Sequence, residues 1–147
     1  MKRLALDGMT AHWEFAYGPV ERFEELVHQL DYPMLAINYY RRKTGKLVFP
    51  PYIINEKSGL RVGLIGISAT IVDKVMPSHF SDGLKFTLGR EELPGHVTQL
   101  RKKEGVDIII VLSHLRFPQD MKLCREVDDV DILLSGHTHN RLSKLCG

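Results

Sequence analysis

Continuous apolar segments alternate with helical patterns over the second half of the chain, and this order constrains the fold more than any other feature. Residues 60–68, 106–112 and 131–134 have the length and composition of buried strands. Residues 91–104 and 118–127, which lie between them, have the apolar spacing of helices. The alternation predicts a layered α/β domain in which helices cover the strands of a sheet.

Helix-boundary residues support this assignment and add an earlier helix. Pro19 begins a helical pattern at residue 20, because proline is favoured at the first helical position. Pro94 fits residues 91–104 only in the first turn, and Gly105 is the expected C-terminal stop. Short apolar segments predict further strands, and two of them, 46–49 and 52–54, are expected to pair. The predicted strands are residues 4–9, 34–37, 46–49, 52–54 and 84–88, with a turn at 56–59 and a loop over 73–83.

Composition is ordinary for a soluble globular protein and argues for a single domain. The chain has 147 residues and a net charge of +2, which is too small to indicate a nucleic-acid partner. No run of about 18 apolar residues predicts a membrane span, and no signal peptide is recognisable at the start, so the sequence as written predicts a cytoplasmic location. The two cysteines, Cys124 and Cys146, form no Cys-x-x-Cys pair, which disfavours a thiolate metal site.

Histidines follow three of the predicted strands. His114 follows residues 106–112, His137 and His139 follow residues 131–134, and His12 follows the first strand. Loops at the carboxyl ends of strands carry the sites of α/β proteins, and neutral imidazole is the commonest metal ligand. A single loop histidine such as His114 is more often an ordinary polar residue, but a Gly-His-Thr-His loop has no packing purpose. The sequence therefore predicts metal binding. Three other histidines are expected to be ordinary surface residues: His28, His79 and His96.

Two sequence blocks resemble a known family. Ser113-His114, together with residues 130–139 (Val-Asp-Ile-Leu-Leu-Ser-Gly-His-Thr-His), is similar to the closing motifs of the calcineurin-like metallophosphoesterases, in particular the 5′-nucleotidase branch. Residues 7–18, which contain His-Trp-Glu-Phe, resemble that branch's Gly-Asn-His-Glu-Phe-x-x-Gly block. The resemblance implies a layered α/β/β/α sandwich and a metal-dependent hydrolase of phosphate esters such as nucleotides.

The resemblance also implies a ligand set. Family members use two divalent ions, Mn or Zn, to activate a water molecule and clamp the phosphate. Carried over by position, His114 and His137 bind one ion and His139 the other, while His12 falls where the family has a ligand asparagine. Three histidines suffice for one metal and a single histidine does not, so one ion is expected here.

Trp13 stands where the family has a histidine that assists catalysis, and indole cannot transfer a proton at neutral pH. No catalytic residue is therefore assigned beyond the metal ligands. The His-Trp-Glu-Phe block is also similar to that of sulfate thiohydrolases of thiosulfate oxidation. A sulfur-ester hydrolase and a non-catalytic metal-binding fragment are the alternatives.

The family's first metal motifs, Asp-x-His and Gly-Asp, precede the region that the resemblance covers, and a nucleoside-recognition domain follows it. Residues 1–147 are therefore expected to form part of a metallophosphoesterase domain that lacks the first strands. Family members are often periplasmic or exported. An unpaired sheet edge would follow from the missing strands and predicts self-association, with no membrane or nucleic-acid partner.

Overall fold

The computed structural model describes residues 5–12, 14 and 19–139. The elements in chain order are α1 (Val20–Val27), β1 (Tyr39–Arg41), β2 (Tyr52–Lys57), β3 (Leu60–Ile67), α2 (Val72–Val75), a 3-10 turn (Ser78–Phe80), β4 (Leu84–Phe86), α3 (Leu93–Thr98), a π-helical continuation (Gln99–Lys103), β5 (Ile108–Ser113), α4 (Phe117–Glu126) and β6 (Ile132–Ser135). None of the helices in these residues has the length and apolar character that a bilayer-spanning segment needs.

The main sheet has four strands in the order β2-β3-β5-β6. β2 and β3 form an antiparallel hairpin that turns at Ser58 and Gly59, both of which have positive φ. β3, β5 and β6 run parallel, and the last paired residues of β5 and β6 are Ser113 and Ser135. The chain therefore leaves β5 and β6 side by side at the same edge of the sheet.

The helices α3 and α4 cover one face of this sheet. Their apolar side chains pack with those of β3 and β5 in one buried cluster, because alternate residues of a strand point to the same face. The cluster consists of Ile37, Ile65, Ile67, Leu93, Val97, Leu100, Val106, Ile109, Val111, Leu115, Leu123 and Val127. Its helices and strands are those of the sequence pattern, and the α/β fold is confirmed.

The other face of β3 lies against the irregular chain around Leu35. A Cβ atom on Gly66 would lie 2.2 Å from the backbone oxygen of Leu35, so this approach requires a glycine. A second buried cluster joins this chain to α1 and to the two-stranded sheet of β1 and β4. Its members are Ala11, Val20, Phe23, Met34, Ala36, Tyr39, Phe49, Val72 and Leu84.

Several predictions for the first half of the chain are wrong. Residues 5–8 and 35–37 form no strand, and a single bridge joins Met9 to Met34; residue 4 lies outside the described part. Residues 46–49 do not pair with β2, which pairs with β3 instead. The predicted loop at 73–83 overlaps α2 and contains the 3-10 turn. The helix that begins after Pro19, the helix with Pro94 in its first turn, and the end at Gly105 are confirmed.

Candidate metal centre

The site begins at the neighbouring ends of β5 and β6. The N–H of His114 donates a hydrogen bond to the carbonyl of Ile67 at 3.0 Å, which extends the pairing of β3 and β5 by one residue. The N–H of Gly136 donates to the carbonyl of Ser113 at 2.8 Å and does the same for β5 and β6. The backbones that carry His114 and His137 are therefore fixed to the sheet up to the histidines themselves.

Gly136 allows the two loops to touch. A Cβ atom at this position would lie 2.9 Å from Nδ1 of His114 and 3.1 Å from the carbonyl oxygen of Ser113. Any larger residue would therefore push the His137 loop away from the His114 ring. His137 follows with φ of 74°, a left-handed conformation that histidine adopts more readily than most residues.

His12 comes from the irregular region. The carbonyl of Ala11, directly before it, accepts a hydrogen bond from the N–H of Ala69 at 3.0 Å, and the N–H of His12 donates to the Glu14 carboxylate at 2.5 Å. The His12 side chain is 6% exposed. Its ring stacks on that of His114, with centroids 4.5 Å apart and an angle of 29° between the planes.

The three imidazoles form one cluster. His137 stands edge-on to both other rings, with centroid distances of 4.6 Å to His12 and 5.4 Å to His114. One ligand nitrogen from each residue lies within 4.8 Å of the other two. Nitrogens that share one tetrahedral ion at about 2.1 Å lie about 3.4 Å apart, so the side chains need to approach by at most roughly 1.4 Å. The donor set and its spacing therefore fit a divalent metal.

Burial and mutual proximity keep these imidazoles neutral. Burial, with the nearby His114 and His137 rings, lowers the pKa of His12 to about 4. Burial also lowers the pKa values of His114 and His137, with a further contribution from His137 to that of His114. Metal ions bind the neutral form of imidazole, so the trio is in the metal-binding state at neutral pH.

Arg116 adds a positive charge beside the cluster. It also contributes to the lowered pKa values of His12 and His137, and its Nε is buried with no hydrogen-bond partner among the described residues. Its backbone has φ of 100° and ψ of 147°, a conformation that residues other than glycine rarely adopt. A cation here opposes metal binding and favours a bound anion such as a phosphate group.

Sequence reasoning missed Arg116 and also Asp120, which is buried in α4. The Asp120 carboxylate accepts hydrogen bonds from the hydroxyls of Ser113 and Ser135, the last residues of β5 and β6. The available signal was a serine shortly before each histidine motif and an acidic residue in the helix between them. That signal is weak, because acidic residues in surface helices are common.

The structure brings together three of the four predicted ligands. His139 is exposed, has φ of 52° and is not one of the three clustered histidines. His28 and His79 are exposed, as expected. His96 is not an ordinary surface residue: it is half-buried against Tyr52, and burial lowers its pKa. Trp13 and Cys146 lie outside the described residues.

Comparison with known proteins supports the resemblance. No family model matches the sequence. The 5′-nucleotidase of Vibrio cholerae is 27% identical over 94% of this chain, and the match covers 27% of that protein. The chain thus spans about a quarter of the length of the curated 5′-nucleotidases that it matches.

Solved structures of known proteins support the same resemblance. The sulfate thiohydrolase SoxB of Thermus thermophilus superposes with a TM-score of 0.90 and 31% identity, over 97% of this chain and 26% of that one. The chain is similar to the 5′-nucleotidase branch of the calcineurin-like phosphoesterases. The calcineurin-like phosphoesterase YfkN of Bacillus subtilis shares the fold, with a TM-score of 0.85 and 22% identity, over 99% of this chain and 48% of that one. The resemblance to the calcineurin-like phosphoesterases and the predicted α/β fold class are confirmed. The similar proteins are hydrolases that belong to a metal-dependent family.

Proposed function

We propose that this chain carries part of the metal centre of a phosphate-ester hydrolase of the 5′-nucleotidase type. The clustered nitrogens of His12, His114 and His137 are the observation that supports it. These three residues would hold one divalent ion, and His139 is the candidate ligand for a second. Residues 1–147 would then form part of a metallophosphoesterase domain.

The chemistry assigned to each group follows from its charge. A bound divalent ion supplies Lewis acidity, which polarises a phosphoryl oxygen and lowers the pKa of a bound water. The three imidazoles would hold it as neutral donors, and the backbone bonds at the ends of β5 and β6 limit the movement of His114 and His137. Arg116 would bind a phosphate oxygen of the substrate, since its guanidinium contributes a positive charge beside the site.

The donor set favours zinc over manganese. Sites built from imidazole suit Zn²⁺, and binding strength for a given nitrogen site rises from Mn²⁺ to Zn²⁺. The described residues place no carboxylate within the trio, and carboxylates are the ligands that Mn²⁺ prefers. We therefore expect tighter binding of Zn²⁺, at one equivalent per chain.

Titration of the metal-free chain with Zn²⁺ in a calorimeter tests the site. One tight equivalent is expected. His114→Ala should weaken it by about a hundredfold or more, because two imidazoles and water replace three imidazoles. His139→Ala is the matched control and should leave the first equivalent unchanged. Two tight equivalents, or loss of binding in both variants, would contradict the assignment.

Hydrolysis assays then separate the candidate reactions. A nucleoside monophosphate is the substrate expected from the similarity to 5′-nucleotidases. A sulfur ester is the second candidate, favoured by the similarity to SoxB and by the His-Trp-Glu-Phe block. Metal-dependent release of phosphate that His137→Ala abolishes would support the first, and cleavage of a thiosulfonate alone would support the second. Tight metal binding without either activity would identify a non-catalytic metal-binding fragment.

We also propose that two copies associate through β6. In the described part of the chain this strand pairs only with β5, and Ile132 and Leu134 are 45% and 53% exposed. An open edge with apolar side chains is a template for strand pairing. A monomer by light scattering at high concentration would overturn this proposal, and Leu134→Lys should reduce any association. The cytoplasmic location stays a prediction.

A further inference from the structure

One carboxylate lies between the two strand ends that lead to the candidate ligands. Asp120 is in the first half of α4 and is 2% exposed. Its Oδ1 accepts a hydrogen bond from Ser113 Oγ at 2.5 Å, and its Oδ2 accepts one from Ser135 Oγ. Each carboxylate oxygen therefore binds a different strand.

The two serines occupy equivalent places. They face each other in the register of β5 and β6, one residue before His114 and two before His137. The Ser113 hydroxyl also accepts the N–H of Leu115 at 3.3 Å, which closes the turn after His114. A shift of either serine would consequently move the backbone of a candidate ligand.

Keeping an ionisable group at this position is costly for the fold. Burial raises the pKa of the Asp120 carboxyl, although both serine hydroxyls stabilise its charge. Among the described residues, none of the ion pairs includes Asp120. Buried charges are weak evidence of stabilisation, because replacing whole buried ion pairs by apolar residues of similar size is often neutral or stabilising. The carboxylate is therefore poorly explained by stability alone, and its contacts point to the histidine loops.

We propose that Asp120 is a positioning residue that fixes the separation of the His114 and His137 loops and so preorganises the imidazole cluster. Its part in metal binding rests on the proposed function, whereas its part in holding the loops does not. The loops already lie close together, since a Cβ atom on Gly136 would be 2.9 Å from Nδ1 of His114. Without the carboxylate, the strand ends are held together by their backbone bonds alone, such as that from Gly136 to Ser113, and the nitrogens of His114 and His137 move apart more readily.

The test uses Asp120→Leu in the full chain, with two readouts. The first is hydrogen exchange of the Gly136 amide, whose bond to Ser113 reports the contact between the loops. We expect it to accelerate about tenfold relative to the Val111 amide in the middle of β5, as for the loss of one hydrogen bond. The second readout is Co²⁺ affinity from the visible absorption of the bound ion, which should fall roughly tenfold, as for other groups that orient metal ligands.

Leu123→Ala is the matched control, because it weakens the packing of the same helix without touching either serine. It should accelerate exchange at Gly136 and Val111 alike and leave Co²⁺ affinity nearly unchanged. Equal ratios of the two exchange rates in Asp120→Leu and Leu123→Ala would overturn the proposal. If Asp120→Leu does not fold, the double variant Ser113→Ala, Ser135→Ala removes both donors and keeps the helix.

The two proposals fail in different ways. A wild-type chain that binds no Co²⁺ would contradict the proposed function, and the exchange ratio would still decide whether Asp120 holds the loops together. Normal exchange at Gly136 in Asp120→Leu, beside intact wild-type Co²⁺ binding, would contradict the positioning role alone.

Discussion

The two regions that supply the clustered histidines are built differently. His114 and His137 follow β5 and β6, whose backbones pair residue by residue in a parallel ladder. His12 follows a segment that is buried at Ala11 but has one isolated bridge, from Met9 to Met34. Both regions bring imidazoles to the same cluster. β5 and β6 do so by regular strand pairing, and the segment around Ala11 does so by packing.

The backbone partners of the irregular region explain the difference. The N–H groups of three successive residues donate to three separate parts of the chain: Leu35 to Met9, Ala36 to Pro50 and Ile37 to Gly66. Each of these three N–H groups is satisfied, as burial requires, yet no two of them share a partner segment. An apolar segment therefore predicts burial, but it does not by itself predict that the segment pairs with a neighbouring strand.

The largest effect is expected where the irregular chain presses on the sheet. In Gly66→Ala, the new Cβ would lie 2.2 Å from the carbonyl oxygen of Leu35. Backbone cannot rotate away as a side chain does, so the free energy of unfolding should fall by about 3 kcal/mol or more. Urea unfolding followed by circular dichroism measures the loss.

Gly95→Ala is the control, because no heavy atom lies within 4 Å of its new Cβ and the residue is in α3. Alanine is the better helix former by about 0.5–1 kcal/mol, so this variant should be slightly more stable. If Gly66→Ala is as stable as wild type, the segment around Leu35 does not pack on β3, and the contrast between the two regions disappears.

The same contrast decides what could be predicted from the sequence. The strands that flank α3 and α4 were predictable because they are continuous apolar runs separated by helices of regular period. The positions of His114 and His137 follow from them, since parallel strands end at one edge of the sheet. His12 was grouped with them because it follows the strand predicted at 4–9, and residues 5–8 form no strand, so of the two arguments for His12 only the resemblance to a family remains.

The supporting groups could not be predicted, because they depend on long-range geometry. Asp120 and Ser135 are 15 residues apart, and no periodic pattern connects them. Arg116 looks like a loop cation until its backbone angles are known. His96 was predicted to be exposed because it lies on the surface of a predicted helix, and no local pattern shows that Tyr52 of β2 contacts its ring.

Acidification should destabilise the irregular region through His12. In the folded chain the pKa of His12 is lowered to about 4, from an ordinary value of 6.5. Between these values the unfolded chain binds a proton that the folded chain does not, so stability falls as the pH falls from 6.5 towards 4. Above 6.5 this contribution is fully present. Urea unfolding of the metal-free chain in a chelator, repeated at several pH values, measures the decline.

His12→Gln removes the titrating ring and keeps a polar side chain. Its stability should decline less steeply than that of wild type below pH 6.5, and the two profiles should run parallel above it. If the stability of wild type and His12→Gln falls equally steeply with pH in the acid range, His12 is not buried in the folded chain. The proposed packing of the His12 region would then be wrong.

The smallest effect is expected at Arg116. Its backbone conformation is strained, although it belongs to the region built by regular strand pairing. With φ of 100° and ψ of 147° at the start of α4, an L-residue costs of the order of 1–3 kcal/mol. Arg116→Gly relieves that strain, although glycine loses more backbone freedom on folding, so a net gain of about 1 kcal/mol in the free energy of unfolding is expected. Arg116→Ala removes the same guanidinium and keeps a Cβ, so it should show no such gain. Equal stability of the two variants would mean that the backbone is unstrained. A more stable Arg116→Gly chain that has lost affinity for inorganic phosphate would show that the strained residue is kept for its charge and not for the fold.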